Sequence, residues 1–185
     1  MNTSNNIHDR RELMEDLAKT LTDHLLVWTV DLPAGKAPSF LDEMSRMASA
    51  KGIEILVVRA DMVFGADHIR SALYHAKKSM DEGRNSSSSL AMETLLYASG
   101  ERQLSSAIKK MSAGIEAERV VVAQLTPGAL EVRGDWKPIG PSEPGTQLGR
   151  LREFGVSEEE LRTLSGKDGA ELVLEKVAAV DVIKK

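Results

Sequence analysis

The sequence predicts an α/β protein, a single domain in which helices flank a mixed β-sheet of about four strands. Segments with helical spacing alternate with short β-rich apolar runs along the chain, as in layered α/β folds. With 185 residues, 42% of them hydrophobic and 28% charged, the chain has the composition of one globular domain with a sizeable core. We expect residues 1–8 to be frayed and residues 9–185 to form this domain.

Apolar residues spaced three or four positions apart predict the helices, and cap or stop residues mark their ends. Ser39 with Asp42 is interpreted as a capping box for the second helix, which ends at Gly52. Ser157 with Glu160 is a second capping box. The predicted helices cover about residues 9–22, 39–51, 65–82, 90–98, 101–111, 157–164 and 170–185.

Four apolar runs rich in β-branched residues predict the strands. They cover about residues 25–30, 53–59, 120–125 and 130–133. The last two runs flank Thr126-Pro127-Gly128, a sequence that favours a turn, so we expect a hairpin. Residues 135–149 are rich in Gly and Pro, which predicts a surface loop.

The stretch from Leu90 to Met111 combines a fully apolar helical run with an abrupt polar break. The apolar helix ends at Ser99-Gly100, and an amphipathic helix is predicted to begin at Glu101. The serine run at 86–89 precedes the apolar helix. We interpret this run as a loop and N-cap, in preference to a phosphorylation site.

Composition argues against several classes of function. A net charge of −4 and a pI of ≈ 5.6 give no global basis for binding nucleic acid or membranes, so such binding needs a local patch. The absence of cysteine excludes disulfides, thiol nucleophiles and thiolate metal sites. Without an apolar run long enough to span a membrane, or a recognisable leader, we expect a cytoplasmic protein.

None of the residue patterns supports catalysis or a cofactor. His68 and His75 are seven positions apart on a predicted helix, about 10 Å along its axis, which is too far to share one metal. The nucleophile-elbow, zinc-protease and phosphate-loop motifs are absent. Glu93 is interpreted as a buried structural acid bonded to backbone or to an arginine, with a general base as the alternative. We therefore predict a protein that is not an enzyme and needs no metal or cofactor.

A local excess of cations lies within residues 65–111, which carry seven basic and five acidic side chains. The break at Ser99-Gly100-Glu101-Arg102 also presents backbone amides at a helix start, where a phosphate is stabilised. One interpretation is a surface that binds an anion or RNA phosphate. The other is a solvated helical face on which Glu101 itself satisfies the helix dipole.

The predicted last helix is apolar on more than one face. A helix on the surface of a domain needs only one apolar stripe, so the surplus must be covered by the domain's own core or by another chain. Either cover is compatible with the sequence.

Two segments carry a specific family resemblance. The first is Phe64-Gly65-Ala66-Asp67-His68-Ile69, followed by Ala72 and Ala76. The second is Ser89-Leu90, then Glu93-Thr94-Leu95-Leu96-Tyr97-Ala98-Ser99-Gly100-Glu101-Arg102-Gln103-Leu104, then Ala107-Ile108-Lys109-Lys110. Together with the last helix, from Glu171 to Ile183, they cover about half of the chain. They closely resemble the KEOPS (EKC) subunit family that includes the animal PRPK-binding protein and small archaeal homologues.

The resemblance implies a non-catalytic accessory role and an archaeal homologue. Such subunits bind the small atypical kinase/ATPase of the complex, which in turn contacts the subunit that makes threonylcarbamoyladenosine beside the tRNA anticodon. In this chain the kinase-contacting element would be the last helix, with Val173, Val177, Val180 and Ile183. In isolation the same helix is a candidate for self-association.

The resemblance also implies binding of tRNA at its 3′ CCA end. The RNA-binding candidates are the basic and helix-start residues of the matching region: Arg70, Lys77, Arg84, Ser99, Gly100, Arg102 and Lys109. Arg102 lies inside the motif, whereas the other cations are chosen by charge and helical side. One alternative function is a protein-interaction module without direct RNA binding. A remoter one is a small-molecule enzyme that uses Glu93 and a helix-start anion pocket.

Overall fold

A four-stranded sheet forms the centre of the computed structural model, which describes residues 22–142, 148–163 and 169–184. The strands are β1 (Leu26–Asp31), β2 (Ile55–Arg59), β3 (Arg119–Gln124) and β4 (Lys137–Pro138). Their order across the sheet is β2-β3-β1-β4, and every pairing is antiparallel. The α/β class and the number of strands are confirmed, whereas the mixed pairing is wrong. Strands β1 and β2 do run parallel, but β3 lies between them and separates them.

The fourth strand is not where the sequence predicts it. Residues 130–133 are not a strand, so the predicted hairpin is absent. The strand β4 comes instead from the predicted loop at 135–149, where Ile139 N donates to Val27 O at 3.1 Å and extends the pairing with β1. Residues 143–147 of that loop lie outside the described part of the chain.

Seven helices are present in the described residues. They are α1 (Ala37–Lys51), α2 (Ala66–Asp81), α3 (Leu90–Ser99), α4 (Leu104–Met111), α5 (Leu148–Phe154), α6 (Glu158–Arg162) and α7 (Gly169–Ile183). A short 3₁₀ turn, Ala60–Met62, follows β2. None of these helices is long and apolar enough to cross a membrane. The helix predicted at 9–22 falls outside the described residues except for Thr22.

Side-chain caps confirm two of the predicted helix starts. The Ser89 side chain accepts a hydrogen bond from Met92 N at the start of α3, and Ser157 with Glu160 forms the capping box of α6. The capping box predicted at Ser39 is wrong. Helix α1 begins two residues earlier because its first turn carries a proline, and the Ser39 hydroxyl donates back to Lys36 O at 2.9 Å.

The sheet separates two hydrophobic layers. Helix α1 covers one face, where Trp28, Phe40 and Trp136 pack edge to face with ring centroids 5.8 and 6.1 Å apart. Helices α2, α3 and α7 cover the other face and contribute to the larger core. Helix α3 contacts α2, α4, α7 and β2, and seven of its ten residues are buried, including Glu93, Thr94 and Ser99.

Gly65 fixes the entry of the chain into α2. Its φ of 107° is a conformation that residues with a side chain rarely adopt. A Cβ at this position would lie 2.4 Å from Pro141 O, because Ala66 N and Asp67 N donate to Gly140 O and Pro141 O. The glycine therefore lets the first turn of α2 contact the backbone that follows β4.

Candidate functional site

His68 joins the two segments that carry the family resemblance. Its Nδ1 accepts a hydrogen bond from Phe64 N at 3.3 Å, so its proton lies on Nε2, which donates to Ala98 O at 2.8 Å. Burial is the main cause that lowers the pKa of His68 to about 4, and the charges of Lys110 and Arg150 lower it further. The imidazole is therefore neutral near pH 7 and ties the start of α2 to the end of α3.

The signature turn, which we define as residues 99–103, connects α3 to α4. Gly100 ends α3 with a left-handed φ of 68°, and Gln103 returns to an extended conformation before α4 begins. The Ser99 hydroxyl donates to Leu96 O at 2.7 Å and accepts from Glu101 N at 3.1 Å. These bonds hold Glu101 outside the helix, so α4 begins at Leu104 and not at Glu101 as predicted.

A partly buried lysine, Lys110, supports the signature turn. Lys110 Nζ donates to Ser99 O at 2.5 Å and lies 3.3 Å from the Glu101 carboxylate. The ammonium also lies 3.9 Å from the centroid of the Phe154 ring. Burial lowers the pKa of Lys110, and its contact with Glu101 opposes that shift. Lys110 is therefore a structural cation, and it already pairs with the Glu101 carboxylate.

The predicted RNA-binding residues do not form one continuous surface. Arg70 bonds to Asp67 and Thr22, and Lys77 lies 3.3 Å from the ring of His24, so both pack against the segment before β1. Burial lowers the pKa of Lys77.

Arg84 lies at the opposite end of α2 from the signature turn, about 24 Å away along a helix of 16 residues. Its guanidinium bonds to Glu82 and lies 3.8 Å from Asp181. These ion pairs raise the pKa of Arg84, chiefly through the hydrogen bond to Glu82.

Only part of the predicted site at the signature turn is accessible. Ser99 is buried and its hydroxyl is bonded within the turn, and its contact with RNA stays a prediction. Gly100 is partly covered by Lys176. Arg102 and Lys109 are exposed, and neither has a hydrogen bond or ion pair to any described residue. Around the signature turn, these two cations are the part of the predicted RNA site that a ligand can reach.

The C-terminal helix has a buried inner face and an exposed outer face. Val173, Val177 and Val180 are each 0% exposed and belong to the larger core of the chain, and their contact with a partner stays a prediction. The apolar residues on the outer face are Ala178, Ala179, Val182 and Ile183. Val182 is 68% exposed and Ile183 is 36% exposed. The surplus apolar surface is thus divided between core and solvent.

Partly buried polar contacts fix the end of α7 against α2 and α3. Tyr97 Oη donates to Asp181 Oδ1 at 2.7 Å, and His75 Nδ1 lies 2.7 Å from Asp181 Oδ2. Burial raises the pKa of the Asp181 carboxyl, but the bonds from Tyr97 and His75 outweigh it and leave the pKa below its usual value. Burial also raises the pKa of Tyr97.

Glu93 forms a second polar contact with the end of α7. Its carboxylate is 0% exposed, pairs with Lys184, and accepts from Ser86 N and Ser87 N at 2.9 and 3.1 Å. The interpretation of Glu93 as a buried structural acid is confirmed, with a lysine in place of the expected arginine. Sequence reasoning missed Asp181 and Lys184, although isolated polar residues in an apolar helix are a signal for such contacts.

His68 and His75 have separate partners, as expected from their spacing. Among the residues that the structure describes, no cluster of three or more His, Asp or Glu side chains could hold a metal ion.

These features define a class of protein: a small α/β scaffold whose signature residues pack helices together. The outer face of α7 and the surface that carries Arg102 and Lys109 are left exposed. A family model described as kinase binding protein CGI-121 matches residues 5–139. This is more than half of the chain, so the chain belongs to the CGI-121 family of kinase-binding proteins. The match confirms the family resemblance of the two signature segments, and it ends before α7. No curated protein matches the chain significantly.

The buried His68 predicts a specific dependence of stability on pH. The pKa of His68 is about 4 in the folded chain and 6.5 as its ordinary value, so the unfolded state takes up the proton first as pH falls. The stabilisation is complete above pH 6.5 and is lost between pH 6.5 and about 4. We expect a loss of about 2 kcal/mol between about pH 7 and about pH 5.

Urea unfolding at several pH values measures this loss. The variant His68→Gln, whose amide can replace both hydrogen bonds, should show a correspondingly smaller decline, whereas His75→Gln should keep the contribution of His68. An identical decline in the wild type and His68→Gln would contradict the assignment.

Proposed function

We propose that this chain is a non-catalytic accessory subunit of the KEOPS complex, which makes threonylcarbamoyladenosine in tRNA. In this proposal the chain binds the atypical kinase/ATPase subunit through the outer face of α7. The observation that carries the proposal is the exposed apolar surface at the end of α7, in a chain of a kinase-binding family. A cytoplasmic location follows from such a role.

The outer face of α7 has the properties of a docking surface. Ala178, Ala179, Val182 and Ile183 lie at helical spacing on one side, and small alanines allow a partner helix or strand to approach closely. The inner side of the same turns is held by the core and by Asp181 and Lys184. Since the helix is already ordered, binding does not have to order it.

The outer face of α7 is too small to be the whole interface. A stable interface buries about 800 Å² on each partner, so the four apolar residues would form its centre and the surrounding polar surface its rim. In the absence of kinase, the same face is the candidate for self-association of the free chain.

Substitution of Val182 tests kinase docking. A carboxylate introduced by Val182→Asp would be desolvated at the centre of the interface, so the kinase should bind at least about tenfold more weakly. Because Val182 is 68% exposed, the fold should be unaffected. Calorimetric titration of the atypical kinase subunit with the full chain measures the change.

Val132→Asp is the matched control, because Val132 is also an exposed valine, 46% exposed, and lies in the segment before β4. It should bind the kinase as the wild type does. Equal affinity of Val182→Asp and Val132→Asp would overturn the assignment of the outer face. Val177→Asp and Val180→Asp do not test docking, since either would place a charge in the core.

The signature turn supports a second part of the proposal, contact with the 3′ CCA end of tRNA. Arg102 and Lys109 are exposed cations without a protein partner among the described residues, and Gln103 gives no side-chain cap to the start of α4. The net charge of −4 and the few available cations imply modest, salt-sensitive affinity. Arg70, Lys77 and Arg84 have partners of their own and are secondary candidates.

Charge reversal at the signature turn tests RNA contact. Arg102→Glu should weaken binding of full-length tRNA. It should also reduce the slope of log K against log salt concentration by about one, which corresponds to the loss of one phosphate contact. The matched control is Arg46→Glu on α1, an exposed arginine outside the signature turn. Filter binding over a series of salt concentrations, with intact tRNA and with tRNA lacking the CCA end, measures both effects.

Equal losses for Arg102→Glu and Arg46→Glu would indicate a nonspecific effect of charge. No binding of either tRNA by the wild type would favour a protein-interaction module without direct RNA contact. The remoter enzyme hypothesis relied on Glu93 as a general base. The Glu93 carboxylate is buried and bonded to Lys184 and two backbone amides, which does not favour that role.

A further inference from the structure

The two edges of the sheet differ in how they are protected. At one edge, β4 has only two paired residues, and one of them is Pro138, which has no N–H to offer. Such short, proline-containing strands prevent further strands from adding. At the other edge, β2 (Ile55–Arg59) is longer, contains no proline, and has the β-branched sequence Ile-Leu-Val-Val-Arg.

Backbone groups on the outer side of β2 are unpaired. Leu125 N donates to Glu54 O at 2.9 Å, so Glu54 directs its backbone toward β3. Backbone direction alternates along an antiparallel strand, so Leu56 and Val58 also face β3, whereas Ile55, Val57 and Arg59 face outward. The outward N–H and C=O groups of Ile55 and Val57 have no hydrogen-bond partner in the described part of the chain.

A groove of ≈ 460 Å³ follows this open edge. Its floor is the backbone from Ile53 to Val57, and its walls are helices from opposite faces of the sheet. The apolar residues of the two walls are Leu41, Met44 and Ala48 of α1, and Ala91, Met92, Leu95 and Ile108 of α3 and α4. The floor spans about 16 Å, the length of about five extended residues.

The shape of this groove selects an isolated strand. Ile55 and Val57 are only partly exposed and lie between helices on both sides. A second copy of this chain has the same helical walls, which would meet before the two recessed β2 edges came within hydrogen-bond distance. A single extended peptide has no such walls and can reach the floor.

We propose that β2 accepts an extended peptide segment of a partner protein as a fifth strand of the sheet. The outward backbone groups of Ile55 and Val57 would pair with the peptide backbone, as in other cases of strand addition. Both walls are mainly apolar, with Ser45 and Ser112 as their polar residues, so consecutive side chains of the peptide are apolar, as in a strand covered on both faces.

The peptide is therefore a short extended run of consecutive apolar residues. This surface is separate from the outer face of α7, and the proposal does not depend on kinase binding.

Selection from a phage-displayed library of short random peptides tests the proposal, with the immobilised full-length chain as bait. We expect enrichment of peptides with consecutive apolar residues. Synthetic copies of the enriched peptides should slow hydrogen exchange of the Ile55 and Val57 amides in the wild-type chain.

Two groove variants and one matched control make the test specific. Val57→Pro removes one outward N–H without removing a bond to β3, and Ala48→Arg fills the groove from α1. Each should weaken peptide binding at least about tenfold, or about 1.4 kcal/mol. Ala50→Arg, on the exposed side of the same helix, should leave binding unchanged.

Three results would overturn the proposal. They are failure to enrich any peptide, full affinity of the Ala48→Arg variant for the enriched peptides, and a wild-type dimer that Val57→Pro dissociates. The last result would assign the edge to a second copy. Ala48→Arg keeps the test decisive if Val57→Pro does not fold.

Discussion

The burial of α3 is the constraint on which the rest of the structure depends. The helix contacts α2, α4, α7 and β2, and each buried polar group without a partner would cost about 1–3 kcal/mol, an unpaired charge more. The Thr94 hydroxyl is the buried side-chain group of α3 that has no hydrogen-bond partner among the described residues. Three other polar groups of α3 have partners on neighbouring helices. Glu93 pairs with Lys184, Tyr97 bonds to Asp181, and Ala98 O accepts from His68.

These partners fix the positions of the neighbouring helices. The hydrogen bond from His68 holds the start of α2 against the end of α3. Asp181 and Lys184 hold the last turns of α7 against α2, through His75 and Ser79. The valines of α7 are thereby committed to the core, and only the opposite side of the helix remains for a partner. The signature segments thus act on function by holding three helices in place, and their surroundings provide the surfaces for binding.

Local features of the fold could be predicted from the sequence, whereas long-range ones could not. Helical periodicity and the caps at Ser89 and Ser157 depend on neighbouring residues, so both predictions are confirmed. The strand order depends on where β3 inserts, and no local pattern distinguishes its insertion between β1 and β2 from pairing at an edge. The two residues of β4 are too few to give a periodic signal.

The same distinction applies to the candidate site. Val177 and Val182 are equivalent in a helix that is apolar nearly all around, and only packing against α2 and α3 decides which one is buried. Composition and helical side could not separate Arg84, which is bonded to Glu82, from Arg102, which lacks a partner among the described residues. The family motif did separate them, because Arg102 lies within it.

Hydrogen exchange of the α7 amides, with and without the atypical kinase subunit, tests the central claim most directly. The claim is that α7 is part of the core of the free chain and offers only its outer face. It predicts that amides of residues 173–180 are protected in the free chain to the same degree as those of α3, and that kinase adds protection mainly at the end of the helix. Rapid exchange throughout α7 in the free chain, with protection only in the complex, would contradict it, because the helix would then fold on binding.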